Sequence, residues 1–339
     1  MLVLNVLIII TLLFLKYSAM SKISKNFVRK NKKRLMKKIA LSKIYKITKK
    51  NINNINSIFI KGNSRCGNFF IAINNAIIYC EILECKKIII ENNNKIYINN
   101  IILYKKSNFT IEPNQKFNYS DKYSIILYTY FFYNGFKMFK NINRLSIFRE
   151  QLLKNLPKVV VHPNDLFIYI RSGDIFVLTN KGSISGYYQP PLCFYVKILD
   201  MFKFREVYII SEDKLNSVIP ILLDKYAYIK KRKNNLKLDI SYLINSYNIV
   251  AAKSTLFSSS IKINDKLKFL WEYDIYSSLR RTYLDFHYSF YKFPFYYTVY
   301  KMNSSIEYKR IMVPWTNSPK QRIMMLKEKC INNFDIIKQ

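Results

Sequence analysis

This sequence of 339 residues contains little glycine, little histidine and few acidic residues. It has 6 glycines, 2 histidines and 21 Asp and Glu, against 56 Lys and Arg. Neither His162 nor His287 lies in a motif, so the residues do not support a histidine general base, and we expect both to be structural. The five cysteines form no Cys-x-x-Cys pair, which argues against a structural zinc site. Their number is odd, and their spacing does not show which of them pair.

The excess of basic residues gives a formal net charge of +35. Such a charge is compatible with binding to nucleic acid or to an acidic membrane surface. The lysines, however, are spread along the whole chain, and no zinc-finger spacing or aromatic ribonucleoprotein motif accompanies them. We therefore expect lysine to serve as a general surface residue, and we expect no nucleic-acid partner. A nucleic-acid-binding protein, whose affinity would depend steeply on salt, stays an alternative.

An apolar stretch opens the sequence. Met1–Leu15 is apolar apart from Asn5 and Thr11, and as a helix it would span about 21 Å, less than the roughly 30 Å hydrocarbon core of a bilayer. Residues 1–20 are predicted to be a signal peptide or a signal anchor, followed by a basic stem over residues 21–54. Either alternative directs the chain into the lumen of the ER or Golgi, and an uncleaved anchor would attach it to the membrane. Three glycosylation sequons support this route, and they begin at Asn108, Asn118 and Asn303.

Apolar periodicity beyond the stem predicts a strand, a helix and a second strand. Ser57–Ile60 and Lys87–Ile90 are short β-branched or apolar runs, typical of buried strands. Between them Phe69–Leu83 has a helical period. The residues expected on its apolar side are Phe69, Ile73, Ala76, Ile77 and Cys80. Together these segments predict a βαβ unit.

The second part of the chain repeats this alternation. Ser211-Glu212-Asp213 is predicted to cap a helix that continues to Leu223, although Pro220 interrupts it. The remaining elements are predicted strands at Leu166–Ile170, Val207–Ile210 and Ile249–Ala251, and a helix at Leu192–Met201.

Strands that alternate with helices favour a parallel sheet with helices on both faces. We therefore predict an α/β protein with two Rossmann-like halves, residues 55–155 and residues 156–275. Residues 276–339 are rich in aromatic and then in basic residues. We expect them to form an extension that packs across the two halves.

Five of the six glycines fall in two predicted loops, each after a predicted strand, and only Gly135 falls elsewhere. Gly62 and Gly67 flank the first loop, and the second contains Gly173, Gly182 and Gly186. Ligands of open parallel sheets sit at the carboxyl ends of the strands. This placement suggests backbone conformations or close approaches that only glycine can supply, with ordinary turn glycines as the alternative.

Arg171 begins the second loop, directly after the predicted strand Leu166–Ile170. A guanidinium carries five donors in a fixed fork, which suits two phosphate oxygens. The first loop opens a helix, whose N-terminal N–H groups and dipole can face an anion. In the alternative interpretation Arg171 pairs with Asp174 and only stabilises its own loop.

These residues match a known motif. Arg171-Ser172-Gly173-Asp174 after a strand resembles the His-x-Arg-x-Gly-Asp motif of α1,2-fucosyltransferases and their wider superfamily. Further segments resemble elements of the same superfamily, in particular of a protist and algal branch, and occur in the same order. They are the Gly-Asn turn at Arg65–Asn68, the acceptor-side loop at Gly186–Tyr195, the second motif at Val207–Asp213, the third motif at Ala252–Ser258 and a tail element at Pro314–Arg322.

The resemblance implies a GT-B-like glycosyltransferase whose two halves face a donor cleft. It implies inverting, metal-independent transfer of fucose from GDP-fucose to a glycan hydroxyl, without a cofactor. The sequence has no Asp-x-Asp metal motif, so cations and backbone donors would stabilise the diphosphate leaving group. Arg171 would bind the β-phosphate, and Asp174 would hold the Arg171 loop or act as base. The other donor-binding residues implied are Gly67, Asn68, Gly173, Asp213, Ser254, Thr255 and Ser258.

One departure bears on the mechanism. Tyr169 stands where the superfamily motif commonly has histidine. The residues alone do not exclude another nucleotide sugar as donor. A non-catalytic lumenal glycan-binding protein on the same scaffold is a further alternative, which Tyr169 favours.

Overall fold

The computed structural model describes residues 57–61, 66–83, 85, 87–90, 110–112, 124–128, 149–177, 188–232, 235–275, 297–331 and 333–338. The predicted N-terminal apolar segment and the basic stem lie outside these residues. Within the described part of the chain, no helix is both long and apolar enough to cross a membrane. The chain divides into two compact units, residues 1–64 with 72–136 and residues 65–71 with 137–339.

The first unit contains a parallel four-stranded sheet. Its strands are β1 (Ser57–Lys61), β2 (Lys87–Ile90), β3 (Thr110–Glu112) and β4 (Ser124–Tyr128), in the order β3-β2-β1-β4. The helix α1 (Cys66–Leu83) connects β1 to β2, which pair in parallel, so the predicted βαβ unit is confirmed. The helix begins three residues before the predicted Phe69. Four residues predicted on its apolar side are buried, namely Ile73, Ala76, Ile77 and Cys80.

The second unit is built on a seven-stranded sheet with the order β11-β10-β9-β8-β5-β6-β7. Every neighbouring pair is parallel except β10 with β11. Residues 297–338 therefore extend this sheet. The strands are β5 (Leu166–Tyr169), β6 (Val207–Ile210), β7 (Ile229–Lys231), β8 (Asn248–Val250), β9 (Phe269–Asp274), β10 (Thr298–Asn303) and β11 (Asp335–Lys338).

Helices lie on both faces of this sheet. They are α2 (Arg149–Asn155), α3 (Asp174–Val177), α4 (Leu192–Met201), α5 (Val218–Lys225), α6 (Leu236–Asn245), α7 (Thr255–Ile263), α8 (Ile306–Met312) and α9 (Pro319–Lys327). Alternate residues of β5 enter two cores: Leu166 and Ile168 pack with α4 and α5, and Phe167 and Tyr169 pack with α6 and α7. Burial on both faces explains why β5 is a continuous apolar run, as parallel strands in such folds are.

The helix predicted after β6 begins later than expected. Ser211-Glu212-Asp213 does not cap it; α5 starts at Val218, with Ser217 in the N-cap position. Pro220 is then the third helical residue. The first N–H groups of a helix have no partner within the helix, so proline at this position removes no hydrogen bond.

A disulfide joins two distant parts of the second unit. Cys193, in the first turn of α4, is bonded to Cys330, which follows α9, with a Cα–Cα distance of 5.5 Å. The sequence separation is 137 residues, which is why spacing alone could not reveal the pair. Cys80 and Cys85 are buried free thiols.

Reduction of this disulfide should lower the free energy of unfolding by about 2–5 kcal/mol, because the unfolded chain loses a long cross-linked loop. Urea unfolding of the full chain with and without dithiothreitol measures the effect. A Cys193→Ser/Cys330→Ser variant should unfold like the reduced protein and should not respond to the reductant. An unchanged urea midpoint for the reduced wild type would contradict this expectation.

Candidate functional site

The strand order of the second unit places a switch point between β5 and β8. The chain proceeds from β5 to β6 and β7 on one side, and then returns to β8 on the other side of β5. In open parallel sheets, ligands bind outside the carboxyl ends of the strands at such a point. The segments that leave these two ends carry Arg171, Gly173 and Asp174 after β5, and Ser254 and Thr255 after β8.

Arg171 is held by two carboxylates. Its Nη2 lies 2.5 Å from Asp174 Oδ1, and its Nη1 lies 2.5 Å from Glu212 Oε1. Arg171 is only 7% exposed, whereas the Glu212 side chain is half exposed. The Arg171–Asp174 pair considered above as an alternative is therefore present. Glu212, which follows β6, is a second partner that the sequence did not indicate.

Gly173 allows this arrangement. Its φ is +67°, in the left-handed region that favours glycine. A Cβ at this position would also lie 1.8 Å from Glu212 Oε2. The backbone conformation therefore favours glycine, as the scarcity of glycine suggested, and a side chain here would also push the Glu212 carboxylate aside.

Asp213 and Asn216 hold the backbone of the same loop. Asp213 Oδ1 accepts hydrogen bonds from the Ser172 hydroxyl, from Gly173 N at 3.3 Å and from Leu215 N at 2.9 Å. Burial would raise the pKa of Asp213, but these hydrogen bonds outweigh it and hold the pKa below its usual value. Asp213, expected at the nucleotide, thus supports the Arg171 loop.

Asn216 is a buried residue that sequence reasoning missed. Its backbone N–H donates to Ser172 Oγ at 3.0 Å, and its Nδ2 donates to the Arg171 carbonyl at 3.0 Å. The same amide is 3.4 Å from Gln189 Oε1. Asn216 therefore connects the Arg171 loop to the segment that precedes α4. No periodicity singles out such a residue, because its partners come from two segments distant in sequence.

The hydroxyls predicted after β8 lie at the N-terminus of α7. Ser254 Oγ accepts from Phe257 N at 3.0 Å, which makes Ser254 the N-cap. Ser258 Oγ donates to the Thr255 carbonyl at 3.2 Å. Ser254 and Ser258 are both buried. The positive end of the α7 dipole lies at the same terminus, beside the switch point.

Gly67 meets α7 at this terminus. A Cβ on Gly67 would lie 2.2 Å from Leu256 N and 2.4 Å from the Thr255 carbonyl carbon. The Gly67 carbonyl accepts from Ser259 Oγ at 3.3 Å. Gly67 thus allows the two backbones to approach more closely than any side chain would permit. The side chain of Asn68 and the positions of Gly62, Gly182 and Gly186 lie outside the described residues.

Tyr169, in the motif position of histidine, is buried at the end of β5. Its hydroxyl accepts from Ser254 Oγ at 3.3 Å, and its ring stacks on Phe257 at 5.7 Å. Burial raises the pKa of Tyr169, so the phenol stays protonated. Tyr169 therefore connects β5 to α7 and does not supply a base.

Asp239, in the first turn of α6, is a second carboxyl that the sequence did not indicate. Burial raises its pKa to about 7, against the opposing effect of Lys231 and with a further increase from Glu212. Asp239 in turn acts on the pKa of Tyr169, so it lies near the end of β5. Near-neutral carboxyl groups of this kind are common in functional sites.

The predicted tail element holds the other end of the Arg171 loop. Trp315 Nε1 donates to the Ile175 carbonyl at 3.0 Å. Asn317 Nδ2 and Arg322 Nη2 both donate to the Phe176 carbonyl, at 2.6 Å and 3.3 Å. These three donors satisfy the C-terminal carbonyls of the short helix α3, which begins at Asp174.

Comparisons with known proteins gave two distant structural likenesses. No family model and no curated protein matches the chain. The heptosyltransferase WaaC of E. coli, with ADP-2-deoxy-2-fluoro heptose, has a TM-score of 0.37 and 9% identity, over 68% of this chain and 91% of that chain. POFUT1 in complex with GDP-fucose has a TM-score of 0.25 and 10% identity, over 66% of this chain and 74% of that chain. Likenesses this distant carry no functional assignment, which rests on the residues of this chain.

Gly173→Ala should destabilise the second unit, because alanine at positive φ costs about 1–2 kcal/mol and its Cβ would meet the Glu212 carboxylate. Glu212→Ala in the same chain should recover the part due to the contact and leave the part due to the backbone. A double-mutant cycle from urea unfolding separates the two parts. Strictly additive effects of the two substitutions would show that the contact is absent.

Proposed function

We propose that this protein is a glycosyltransferase of the GT-B type that transfers fucose from GDP-fucose to a glycan hydroxyl, with inversion and without a metal. The observation that carries the proposal is the position of Arg171. It is a buried guanidinium, oriented by Asp174 and Glu212, at the carboxyl end of β5 and beside the switch point. A cation fixed in advance at the place where parallel sheets bind ligands suits an anionic donor.

The chemistry of transfer explains what such a cation does. The acceptor oxygen forms a bond to the sugar C1 as the bond from C1 to the phosphate oxygen breaks, and the hydroxyl proton passes to a base. The electron pair of the broken bond goes to the β-phosphate. Arg171 and the N-terminus of α7 would stabilise this growing charge without reorganising. Asp174 is engaged with Arg171, which supports a holding role for its carboxylate.

Glu212 indicates where the phosphate would bind. Its carboxylate oxygen is 2.5 Å from Arg171 Nη1, and its side chain is half exposed. A phosphate oxygen is a comparable acceptor for the same N–H group. We infer that the donor displaces Glu212 from Arg171 while Asp174 keeps the guanidinium in place.

Asp239 supports a guanine nucleotide among the possible donors. Guanine presents two adjacent N–H donors on one edge, and an ionised carboxylate offers two acceptor oxygens. Adenine and uracil alternate donors and acceptors along that edge and match a carboxylate less well. The location of Asp239 near Tyr169, at the end of β5, suits contact with a base attached to a diphosphate at Arg171.

A lumenal location is part of the proposal. Structural disulfides persist in oxidising compartments, so the Cys193–Cys330 bond supports an ER or Golgi lumen. Attachment to the membrane would depend on residues 1–20. Of the three sequons, the one at Asn303 lies at the end of β10. The Asn303 Nδ2 donates to Asp335 Oδ2 at 2.8 Å, a hydrogen bond between β10 and β11.

Arg171→Ala should lower the rate of fucose transfer about 10²–10³-fold, as removal of oxyanion-type donors does. Arg171→Lys should restore only part of the rate, because a point charge does not replace the guanidinium fork. The measurement is turnover of GDP-fucose with a glycan panel, with GDP-mannose and UDP-sugars as competing donors. Near-normal turnover of Arg171→Ala would disprove the assignment, and GDP binding without any turnover would favour the glycan-binding alternative.

Glu212→Gln should strengthen binding of the donor. If the donor displaces Glu212 from Arg171, removal of that charge removes a competitor, and the Kd for GDP should fall roughly 3–10-fold, typical of one weak exposed ion pair. Calorimetric titration of the wild type and the variant gives both values. A higher Kd for Glu212→Gln would show that Glu212 assists binding and that the displacement step is wrong.

A further inference from the structure

Lys253 is a second buried cation at the switch point. It is 7% exposed and lies just beyond β8, directly before the N-cap of α7. The register of the sheet pairs Ile168 of β5 with Val250 of β8. Three residues further along the chain from each, beyond the ends of the two strands, are Arg171 and Lys253. Each cation therefore follows one of the two adjacent strands at the switch point, where ligands of such sheets bind.

An aromatic ring fixes the position of Lys253. Its Nζ lies 5.0 Å from the centroid of the Tyr188 ring. The Tyr188 hydroxyl donates to the Tyr273 carbonyl at 2.8 Å, so the ring is attached to β9. The next residue, Gln189, contacts Asn216, which also holds the Arg171 carbonyl. One set of contacts thus supports both cations.

The charged groups that act on Lys253 are Asp274 and Glu272, both on β9. Asp274 is itself paired with Lys301 at 2.5 Å, and its charge also acts on the pKa of Lys309. Burial raises the pKa of Glu272 to about 8. Burial lowers the pKa of Lys253 to about 7, although Asp274 and Glu272 oppose the change. Above this pH the amine is largely neutral, and a bound anion would favour its protonated form.

We propose that Lys253 binds the diphosphate of the donor from the β8 side of the switch point, opposite Arg171. This inference rests on the proposed function and adds a residue to the donor site. Adjacent strands lie roughly 4.8 Å apart, so two cations just beyond neighbouring strands can contact the two phosphates of one diphosphate. A monoanionic ligand would engage only one of them.

Calorimetric binding of GDP and of guanosine to the full chain tests the contact. Lys253→Met should raise the Kd for GDP about 10–100-fold, the usual effect of losing a charge-assisted hydrogen bond. It should leave the Kd for guanosine unchanged, because guanosine has no phosphate. Lys268→Met is a matched control, because the Lys268 Nζ also lies over a tyrosine ring, 5.4 Å from the ring centroid of Tyr247. Lys268, however, is exposed and precedes β9, at the opposite edge of the sheet. This control should bind GDP like the wild type.

Proton uptake provides a second measurement, with Lys253→Met as its control because Asp239 and Glu272 also titrate near this pH. Both phosphates of GDP-fucose are esterified, so the ligand itself has no phosphate that titrates near pH 8. Titrations at pH 8 in buffers of different ionisation enthalpy should show that the wild type takes up more protons on binding GDP-fucose than Lys253→Met does. Wild-type affinity for GDP in Lys253→Met, or equal proton uptake by the two proteins, would overturn the inference alone. Failure of the wild type to bind GDP would overturn the proposed function as well.

Discussion

The guanidinium of Arg171 lies between the carboxylates of Asp174 and Glu212 at the carboxyl end of β5. A buried cation is tolerated only with charge partners, because it loses its hydration on burial. Here the two partners belong to different segments, since Asp174 opens α3 and Glu212 follows β6. The conformations of these two segments are therefore coupled through one side chain. If either segment moves away, Arg171 keeps only one of its two carboxylate partners.

The neighbouring contacts follow from this requirement. Asp174 can return to Arg171 because Gly173 adopts a positive φ, and the absence of a side chain there leaves room for Glu212. Asp213 then accepts from the Gly173 N–H, and Asn216 donates to the Arg171 carbonyl, so the backbone that leads into Gly173 is held. The tail element binds the far end of α3, and the Cys193–Cys330 disulfide fixes the chain beyond that element to α4. Residues far apart in sequence thus determine the orientation of one guanidinium.

Local patterns predicted much of the fold and part of the site. Parallel strands buried on both faces are continuous apolar runs, so β1, β2, β5, β6 and β8 were found within one or two residues of their observed bounds. The scarcity of glycine pointed to Gly67 and Gly173. Glu212, Asn216 and Asp239 were missed because their roles depend on which segments the sheet brings together. The start of α5 was missed because a proline in the first turn resembles an interruption.

The two buried cations differ in a way that their chemistry explains. A guanidinium stays protonated when it is buried, since its pKa lies far above neutrality, so Arg171 needs carboxylates at all times. A lysine can lose its proton instead, and burial brings the pKa of Lys253 to about 7. The sheet edge therefore combines one permanent charge, compensated by Asp174 and Glu212, with one conditional charge. This combination limits the desolvation cost of the folded chain while a second cation stays available at the switch point, as the proposed diphosphate site would require.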